Sequence, residues 1–554
     1  MDDLVLKPEN AVVYHTKSGN YVYVTAAKNY LKDRKYNENK RVCVGRLCDD
    51  EIHMIPNKNY YKYCAEEDEL PPAPEREDSL RTGLYLAVRK TMEETGLADM
   101  MEDQYGEEDS AVMKDIIMYM IGSESDVMQY FPEFGKENVL FSDRVHEGTE
   151  ISDLFKRLTK TQHETFLQEW NKAHNDIRKV YISYDSTNMN TTADGIELAE
   201  FGPAKDDPEI PDVNFSLAYD QDNGTPCFYE LYHGSIIDNS QCRFMVDRAK
   251  SYGYENIGFI FDRGYFSREN IKYCDDNKYA FIIMAKGNAK FVSKIVEEQM
   301  TALKLMKAPL YLPEHEVFGV TVNEPIYEGD KKRWVHVYYD GARANAETIA
   351  YLGHLKRTDE ELQKKLDQKL NRREDVRAYE KIYNLKFDDN GYFKGFKRKK
   401  KAIQNHVDHL GIFVIITSEE MTASEALDKY RHRDSIEKLF RADKTFLGMN
   451  ALRVYSDVSL ETKALLSFIA IIVRNDMFSR LKLLYQKDRK NYTVPSAIRI
   501  LQSLKINKLP DGKYHQMYAL TKRQKAIFGV YGITPSEYQK AVEKMNAKLS
   551  KISD

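Results

Sequence analysis

The chain has few cysteines and almost no tryptophan. It holds 6 cysteines and 2 tryptophans among 554 residues, and no two cysteines have Cys-x-x-Cys spacing. This pattern argues against a disulfide framework and predicts reduced thiols in a cytosol. Cys43, Cys48, His53 and Cys64 are close enough in sequence to suggest a zinc site, but their spacing matches no standard zinc pattern.

Long apolar runs are also missing. The longest one, residues 464–473, is too short to span a bilayer. The first residues show no basic and then apolar leader. We therefore expect a cytoplasmic protein with no membrane partner. Hydrophobic residues make up 42% of the chain, which is enough for folded domains, and the length predicts three or four of them.

The sequence lacks net positive charge, since its formal net charge is −5. Acidic residues cluster early, at 66–69 and 107–109, whereas basic residues cluster late, at 394–401, 487–490 and 522–525. Nucleic-acid binding depends on local patches and not on the total charge. The asymmetry predicts a basic groove in the C-terminal half, although any single cluster could be a solvated loop. The candidate contacts are Lys397, Arg398, Lys399, Lys400 and Lys401.

Changes of pattern divide the chain into six predicted segments, and an acidic, proline-rich stretch follows the first. The segments are a small β module (1–65), a helical domain that is a candidate for DNA-end binding (66–175), the first part of an α/β core (176–290), an insertion (291–408), the second part of the core (409–485) and a helical C-terminal region that is a candidate for dimerisation or DNA contact (486–554).

The core segments predict the element order β-β-β-α-β-α-β. The predicted strands are 179–185, 214–219, 227–232, 257–262 and 279–284, with helices at 239–252 and from Ser267 onwards. Three antiparallel strands followed by two parallel ones give a ribonuclease-H-like fold, with a mixed five-stranded sheet and flanking helices. A β-rich insertion, with a polar helix from Thr358, interrupts this core before a buried strand at 410–417.

Three acidic residues are placed to act together. Asp185 and Asp262 end two strands that are neighbours in such a core, and Glu437 lies on the helix that follows the last strand. A single aspartate at a strand end is usually only a turn residue. Three convergent carboxylates, however, suit two hard divalent cations, and Mg²⁺ prefers such oxygen ligands.

The helix that carries Glu437 has a polar stripe. A Thr422/Glu425 capping box predicts its start. At about 100° per residue, the residues of this stripe fall within roughly 80°. A stripe of this kind could also be a solvated salt-bridge face. Its members are Tyr430, Arg433, Glu437, Arg441 and Lys444.

Four of these residues form the pattern Y-(2)-R-(3)-E-(6)-K, which resembles the signature of bacterial insertion-sequence transposases of family four, with a DDE transposase domain. Residues 184–187 (Tyr-Asp-Ser-Thr) and 261–267 (Phe-Asp-Arg-Gly-Tyr-Phe-Ser) are also similar to the short sequence motifs around the first two acidic residues of that family. The resemblance covers about residues 176–475.

The resemblance implies cut-and-paste transposition through a DNA hairpin at the transposon end. It implies two Mg²⁺ ions, with Mn²⁺ able to substitute, and a homodimer that holds double-stranded transposon ends and target DNA in a synaptic complex near the bacterial nucleoid. Tyr430, Arg433 and Lys444 match residues that hold end phosphates and the hairpin, and the shared stripe adds Arg441. Trp334 is a candidate to receive a flipped base, or else a core residue.

Two other functions remain open. One is a ribonuclease-H-like nuclease that cuts nucleic acid without joining ends. The other is a domesticated derivative that only binds DNA. The acidic residues at all three DDE positions argue against the second.

Overall fold

The computed structural model describes residues 4–16, 19–31, 36–48, 50–64, 79–174, 179–202, 207–236, 238–285, 290–327, 329–369, 371–433, 447 and 451–552. The chain divides into two compact units, residues 1–78 and residues 79–554.

The first unit is a five-stranded antiparallel sheet with one short helix. The sheet order is β1-β5-β4-β3-β2. Val22, Val44, Met54 and Tyr60 form its core, so the helix covers one face of the sheet. The elements are β1 (Val5–Leu6), β2 (Val12–Thr16), β3 (Gly19–Leu31), β4 (Tyr36–Leu47), β5 (His53–Pro56) and α1 (Lys58–Tyr63).

The second unit mixes strands and helices, which confirms the predicted α/β class. Its strands are β6 (Ser79–Arg81), β7 (Val180–Asn190), β8 (Asp212–Asp220), β9 (Thr225–His233), β10 (Ile257–Phe261), β11 (Ala280–Met284), β12 (Tyr311–Leu312), β13 (Val317–Pro325), β14 (Lys332–Tyr339), β15 (Tyr383–Phe387), β16 (Phe393–Arg398), β17 (Ile412–Thr417), β18 (Lys505–Lys508) and β19 (Tyr514–Gln516).

Helices surround these strands. They are α2 (Gly83–Glu94), α3 (Leu97–Tyr105), α4 (Glu107–Ser123), α5 (Phe131–Glu137), α6 (Gly148–Arg157), α7 (Lys160–His174), α8 (Asp238–Ser251), α9 (Arg268–Asp276), α10 (Lys290–Lys304), α11 (Gly341–Asp367), α12 (Arg373–Val376), α13 (Lys400–Asp408), α14 (Ala423–His432), α15 (Asp457–Lys487), α16 (Val494–Gln502), α17 (Lys522–Val530) and α18 (Pro535–Ile552). Among the helices that the structure describes, none is long and apolar enough to cross a membrane.

A nine-stranded sheet organises this unit. Its order is β12-β13-β14-β17-β11-β10-β7-β8-β9. Strand β10 pairs in parallel with both β7 and β11, whereas the other pairs are antiparallel. All five residues of β10 are buried, as expected for a strand covered on both faces. Helix α15 lies against β9, with the rings of Phe468 and Tyr229 5.4 Å apart.

The first part of the predicted insertion extends this same sheet. Strands β12, β13 and β14 continue it beyond β17. The rest of the insertion forms its own small cluster, in which α11 packs on the β15–β16 hairpin through Leu355, Leu362 and Phe393.

The predicted helix start at Thr358 is wrong. Helix α11 begins at Gly341, where the Asp340 carboxylate accepts a hydrogen bond from the Arg343 N–H (2.9 Å). Thr358 lies inside the helix and its hydroxyl donates to the His354 carbonyl (3.0 Å). The Thr-x-x-Glu spacing therefore mimics a cap here, because a hydroxyl inside a helix can bond to the preceding turn instead.

The predicted end of β7 at Asp185 is also wrong, since the strand continues to Asn190. The polar end of β7 is stable because its buried side chains form hydrogen bonds with neighbouring segments. The Asn188 amide donates to Asn214 Oδ1 (2.8 Å), and the Asn190 amide donates to the carbonyls of Asp207 and Ile210 (3.0 and 3.1 Å). Buried amides that are hydrogen-bonded in this way carry little cost.

Candidate active site

Helix α14 begins with the predicted capping box. The Glu425 N–H donates to Thr422 Oγ1 (3.2 Å), and the Thr422 N–H donates to Glu425 Oε2 (2.8 Å). The apolar side of the helix packs on the sheet through Leu427 and Tyr430. The predicted helix over 430–444 is described only as far as Arg433. Glu437, Arg441 and Lys444 lie outside the described residues.

Asp262 follows β10 directly and faces this helix. Its Oδ1 accepts a short hydrogen bond from the Arg263 N–H (2.6 Å). The same oxygen accepts a long one from the Tyr430 hydroxyl (3.4 Å), beyond the usual 2.5–3.0 Å for such bonds. Its Oδ2 has no hydrogen-bond partner within the part of the chain that the structure describes. One oxygen is therefore oriented by the described residues, whereas they leave the other without a hydrogen bond.

The register of the sheet brings position 185 to the level of Asp262. In the parallel pair of β7 and β10, Ser183 lies opposite Ile260. Asp185 and Asp262 each come two residues later, on adjacent strands that are about 4.8 Å apart. The backbone of Asp185 is also paired with Leu217 of β8. Its side chain lies outside the described part of the structure.

Arg433 lies beside Tyr430 at the end of α14. Its N–H donates to the Tyr430 carbonyl (3.1 Å), and its guanidinium carbon is 5.4 Å from the centre of the Tyr430 ring. Only 6% of its surface is exposed. The contact holds a cation against the ring whose hydroxyl donates to Asp262.

A second anchor of α14 was not predicted from the sequence. The Tyr181 hydroxyl donates to Glu419 Oε2 (2.8 Å), and Lys179 forms an ion pair with the same carboxylate. Lys429 lies 4.2 Å above the centre of the Tyr181 ring. These contacts tie both the approach to α14 and the helix itself to β7, the strand that carries Asp185. No local spacing could reveal them, because their partners are more than 200 residues apart.

Trp334 occupies a half-buried position inside β14. It lies opposite Asn323 of β13 and Thr417 of β17. Strand β14 is three strand spacings from β10, or about 14 Å. His336, two residues after Trp334 on the same strand, is buried and hydrogen-bonded to Thr321 (2.9 Å) and to Thr417 (3.1 Å). The surroundings of Trp334 are therefore those of a packed sheet.

The basic run divides into engaged and exposed cations. Arg398 pairs with Asp359 through two hydrogen bonds (2.5 and 3.2 Å), and Lys399 donates to the Glu380 carbonyl (2.6 Å). The remaining three lysines are exposed at the end of β16 and the start of α13. They are Lys397, Lys400 and Lys401.

The family comparison agrees with this geometry. The family model described as "Transposase DDE domain" matches residues 178–473, which is more than half of the chain. The chain therefore belongs to the DDE transposase family. The matched range contains both aspartate positions and all of α14.

Two further comparisons add little. A cryo-electron-microscopy structure of a piggyBac transposase synaptic complex with hairpin DNA is similar at 8% sequence identity and a TM-score of 0.32. The alignment covers 74% of this chain and 65% of that chain. The search of curated proteins finds no match.

Proposed function

We propose that this protein is a DNA transposase that moves an insertion sequence by cut-and-paste, using metal-dependent phosphodiester hydrolysis and strand transfer. One observation carries the proposal. Positions 185 and 262 share a level on adjacent parallel strands, and Tyr430 of α14 reaches Asp262 at that point. A DDE site needs this convergence of two strands and one helix.

The strand order supports a ribonuclease-H-like core. Strands β9, β8 and β7 are antiparallel neighbours, and β10 and β11 join them in parallel. Three antiparallel strands followed by two parallel ones are the arrangement expected from the sequence. In this interpretation β17 and the insertion strands extend the core sheet at its β11 edge.

The donor set fits Mg²⁺. Asp262 keeps Oδ2 available, and Asp185 and Glu437 would supply the other carboxylates, so the ligands would all be oxygen. Two bound Mg²⁺ ions, or Mn²⁺ ions in their place, would activate a hydroxyl nucleophile and stabilise the leaving oxygen of the phosphodiester.

The chain's own residues would position the DNA around these acids. Tyr430 orients Asp262 by donating to Oδ1. Arg433 would bind an end phosphate through its paired guanidinium donors. Arg441 and Lys444, which come later in the sequence, would contact other phosphates of the DNA. These contacts would hold a tightly bent DNA hairpin at the transposon end. Trp334 stays a candidate for the flipped base.

The proposed partners are double-stranded transposon ends, target DNA and a second copy of this chain in a synaptic complex. Lys397, Lys400 and Lys401 would meet the DNA backbone. The helical segments 66–175 and 486–554 are our candidates for end binding and dimerisation. The setting would be the bacterial cytoplasm, at the nucleoid.

A product analysis tests the proposal. The protein is incubated with Mg²⁺ and labelled duplexes that carry the inverted repeats found beside its own gene, together with a supercoiled target. Nicked, hairpin, double-strand-break and joined products are then resolved over time. Joined products are expected. Cleavage without joining would instead indicate a nuclease, and binding without cleavage would indicate a domesticated protein.

A further inference from the structure

A second group of metal-ligand side chains lies where helix α14 meets the turn between β12 and β13. It combines Glu314 and His315, from the turn between β12 and β13, with Asp428 of α14. One ligand atom from each of the three residues lies within 4.8 Å of the other two. None of these residues belongs to the DDE set.

The imidazole of His315 is buried yet incompletely bonded. Only 8% of the residue surface is exposed. Its Nε2 makes no hydrogen bond within the described residues, although Asp428 Oδ1 is 3.4 Å away. Burying a polar nitrogen without a hydrogen bond costs free energy of folding. A ligand bound to Nε2 would remove that cost.

The spacing of the two atoms fits shared coordination of one ion. Zinc takes tetrahedral ligands at bond lengths of 2.0–2.2 Å, so neighbouring ligand atoms are separated by about 3.3–3.6 Å. The separation of His315 Nε2 and Asp428 Oδ1 is 3.4 Å. The exposed Glu314 side chain has the freedom to supply a third oxygen, and water can fill the fourth position.

We propose that Glu314, His315 and Asp428 bind a Zn²⁺ ion that clamps the β12–β13 turn to helix α14. An imidazole nitrogen suits Zn²⁺, whereas Mg²⁺ prefers oxygen ligands and retains its water. Asp428 comes two residues before Tyr430, so the clamp fixes the helix near the residue that contacts Asp262. The proposed role of the site is structural, and it shares no residue with the proposed DDE site.

Arg431 distinguishes the metal-bound arrangement from a metal-free one. Its Nη1 is 3.5 Å from His315 Nδ1 and 3.3 Å from the His315 carbonyl oxygen. Without metal, a neutral imidazole accepts at Nδ1 and directs its Nε2–H towards Asp428. With zinc on Nε2, the proton moves to Nδ1 and Arg431 keeps only its bond to the carbonyl.

Cobalt binding tests the site. Full-length, tag-free protein is stripped with a chelator and titrated with Co²⁺, whose visible absorption is intense only in tetrahedral sites. Zn²⁺ is then added in competition. The wild-type protein should show this absorption and lose it to Zn²⁺. His315→Ala should weaken Co²⁺ binding by more than about tenfold.

Two matched sets of variants complete the test. Asp428→Asn and Glu314→Gln alter exposed groups and are expected to keep the fold while weakening Co²⁺ binding. Asp262→Asn and the nearby Glu316→Gln should leave the tetrahedral Co²⁺ absorption unchanged. The proposal is overturned if the wild-type protein shows no tetrahedral absorption, or if His315→Ala and Asp428→Asn bind Co²⁺ as it does. These spectra are independent of any transposase activity.

Discussion

The Tyr430 hydroxyl donates to Oδ1 of Asp262 across 3.4 Å and so joins helix α14 to the end of β10. The contact connects a signature residue to an acidic residue 168 positions earlier in the chain. It is long for a hydrogen bond, and such contacts often shorten when substrate binds. Helix α14 therefore contacts the second aspartate of the proposed site.

Tyr430→Phe should slow first-strand nicking by about fivefold to thirtyfold, because one hydrogen bond to a charged group stabilises by about 1–2 kcal/mol. The ring stays buried, so the thermal unfolding temperature should change little. Tyr181→Phe is the matched control, since its hydroxyl donates to Glu419 in the same cluster. Equal losses in both variants would show that the contact with Asp262 has no special role.

Arg433→Lys should impair hairpin formation and resolution more than first-strand nicking. The substitution keeps the charge but loses the paired donors that fix a phosphate, and it weakens the contact with the Tyr430 ring. A time course that separates nicked, hairpin and broken DNA measures each step. A uniform loss at every step would point to a folding or general binding role.

Replacing Lys397, Lys400 and Lys401 by glutamine should weaken end binding and reduce its salt slope by up to roughly three. Binding titrations at several salt concentrations measure that slope. Arg398→Gln with Lys399→Gln is the control pair, because these cations are already engaged with Asp359 and Glu380. If both sets of variants change the salt slope alike, the division into exposed and engaged cations does not determine which residues contact DNA.

Acid should destabilise the fold through two buried histidines. Burial lowers the pKa of His336 and of His163 from 6.5 to about 4. Between these pH values the unfolded chain binds protons that the folded chain does not, so the free energy of unfolding falls as the pH falls from about 6.5 towards 4. Each group contributes up to about 3 kcal/mol.

Denaturant unfolding at a series of pH values checks this expectation. His336→Gln should flatten the pH dependence relative to the wild-type protein, and adding His163→Gln should flatten it further. His409→Gln serves as the control because His409 is exposed. An unchanged pH dependence in the double variant would contradict the assignment.

Local signals in the sequence predicted local structure well. The Thr422/Glu425 capping box and the Ser267 cap both form, since their partners are three residues away. The end of β10 was predicted to within one residue, at Asp262 instead of Phe261, because a buried apolar run stops there. Each of these features depends only on neighbours in sequence.

Features that depend on distant partners could not be predicted. Strand β7 passes Asp185 because Asn188 and Asn190 find acceptors 17 to 26 residues further along the chain. The insertion strands join the main sheet because β14 pairs with β17, about 80 residues later. The contacts of Tyr181 with Glu419 and of His315 with Asp428 also link separate regions, and the sequence gives no spacing signal for them.

The most direct test of the central claim replaces carboxylates with thiolates. Asp185→Cys, Asp262→Cys and Glu437→Cys should each bind end DNA yet fail to cleave it in Mg²⁺, because a soft thiolate is a poor Mg²⁺ ligand. Mn²⁺ or Cd²⁺, which accept sulfur, should restore part of the cleavage, whereas Asp262→Ala should stay inactive with every ion. Cleavage by any of these variants in Mg²⁺ at near the wild-type rate would contradict the DDE assignment at that residue.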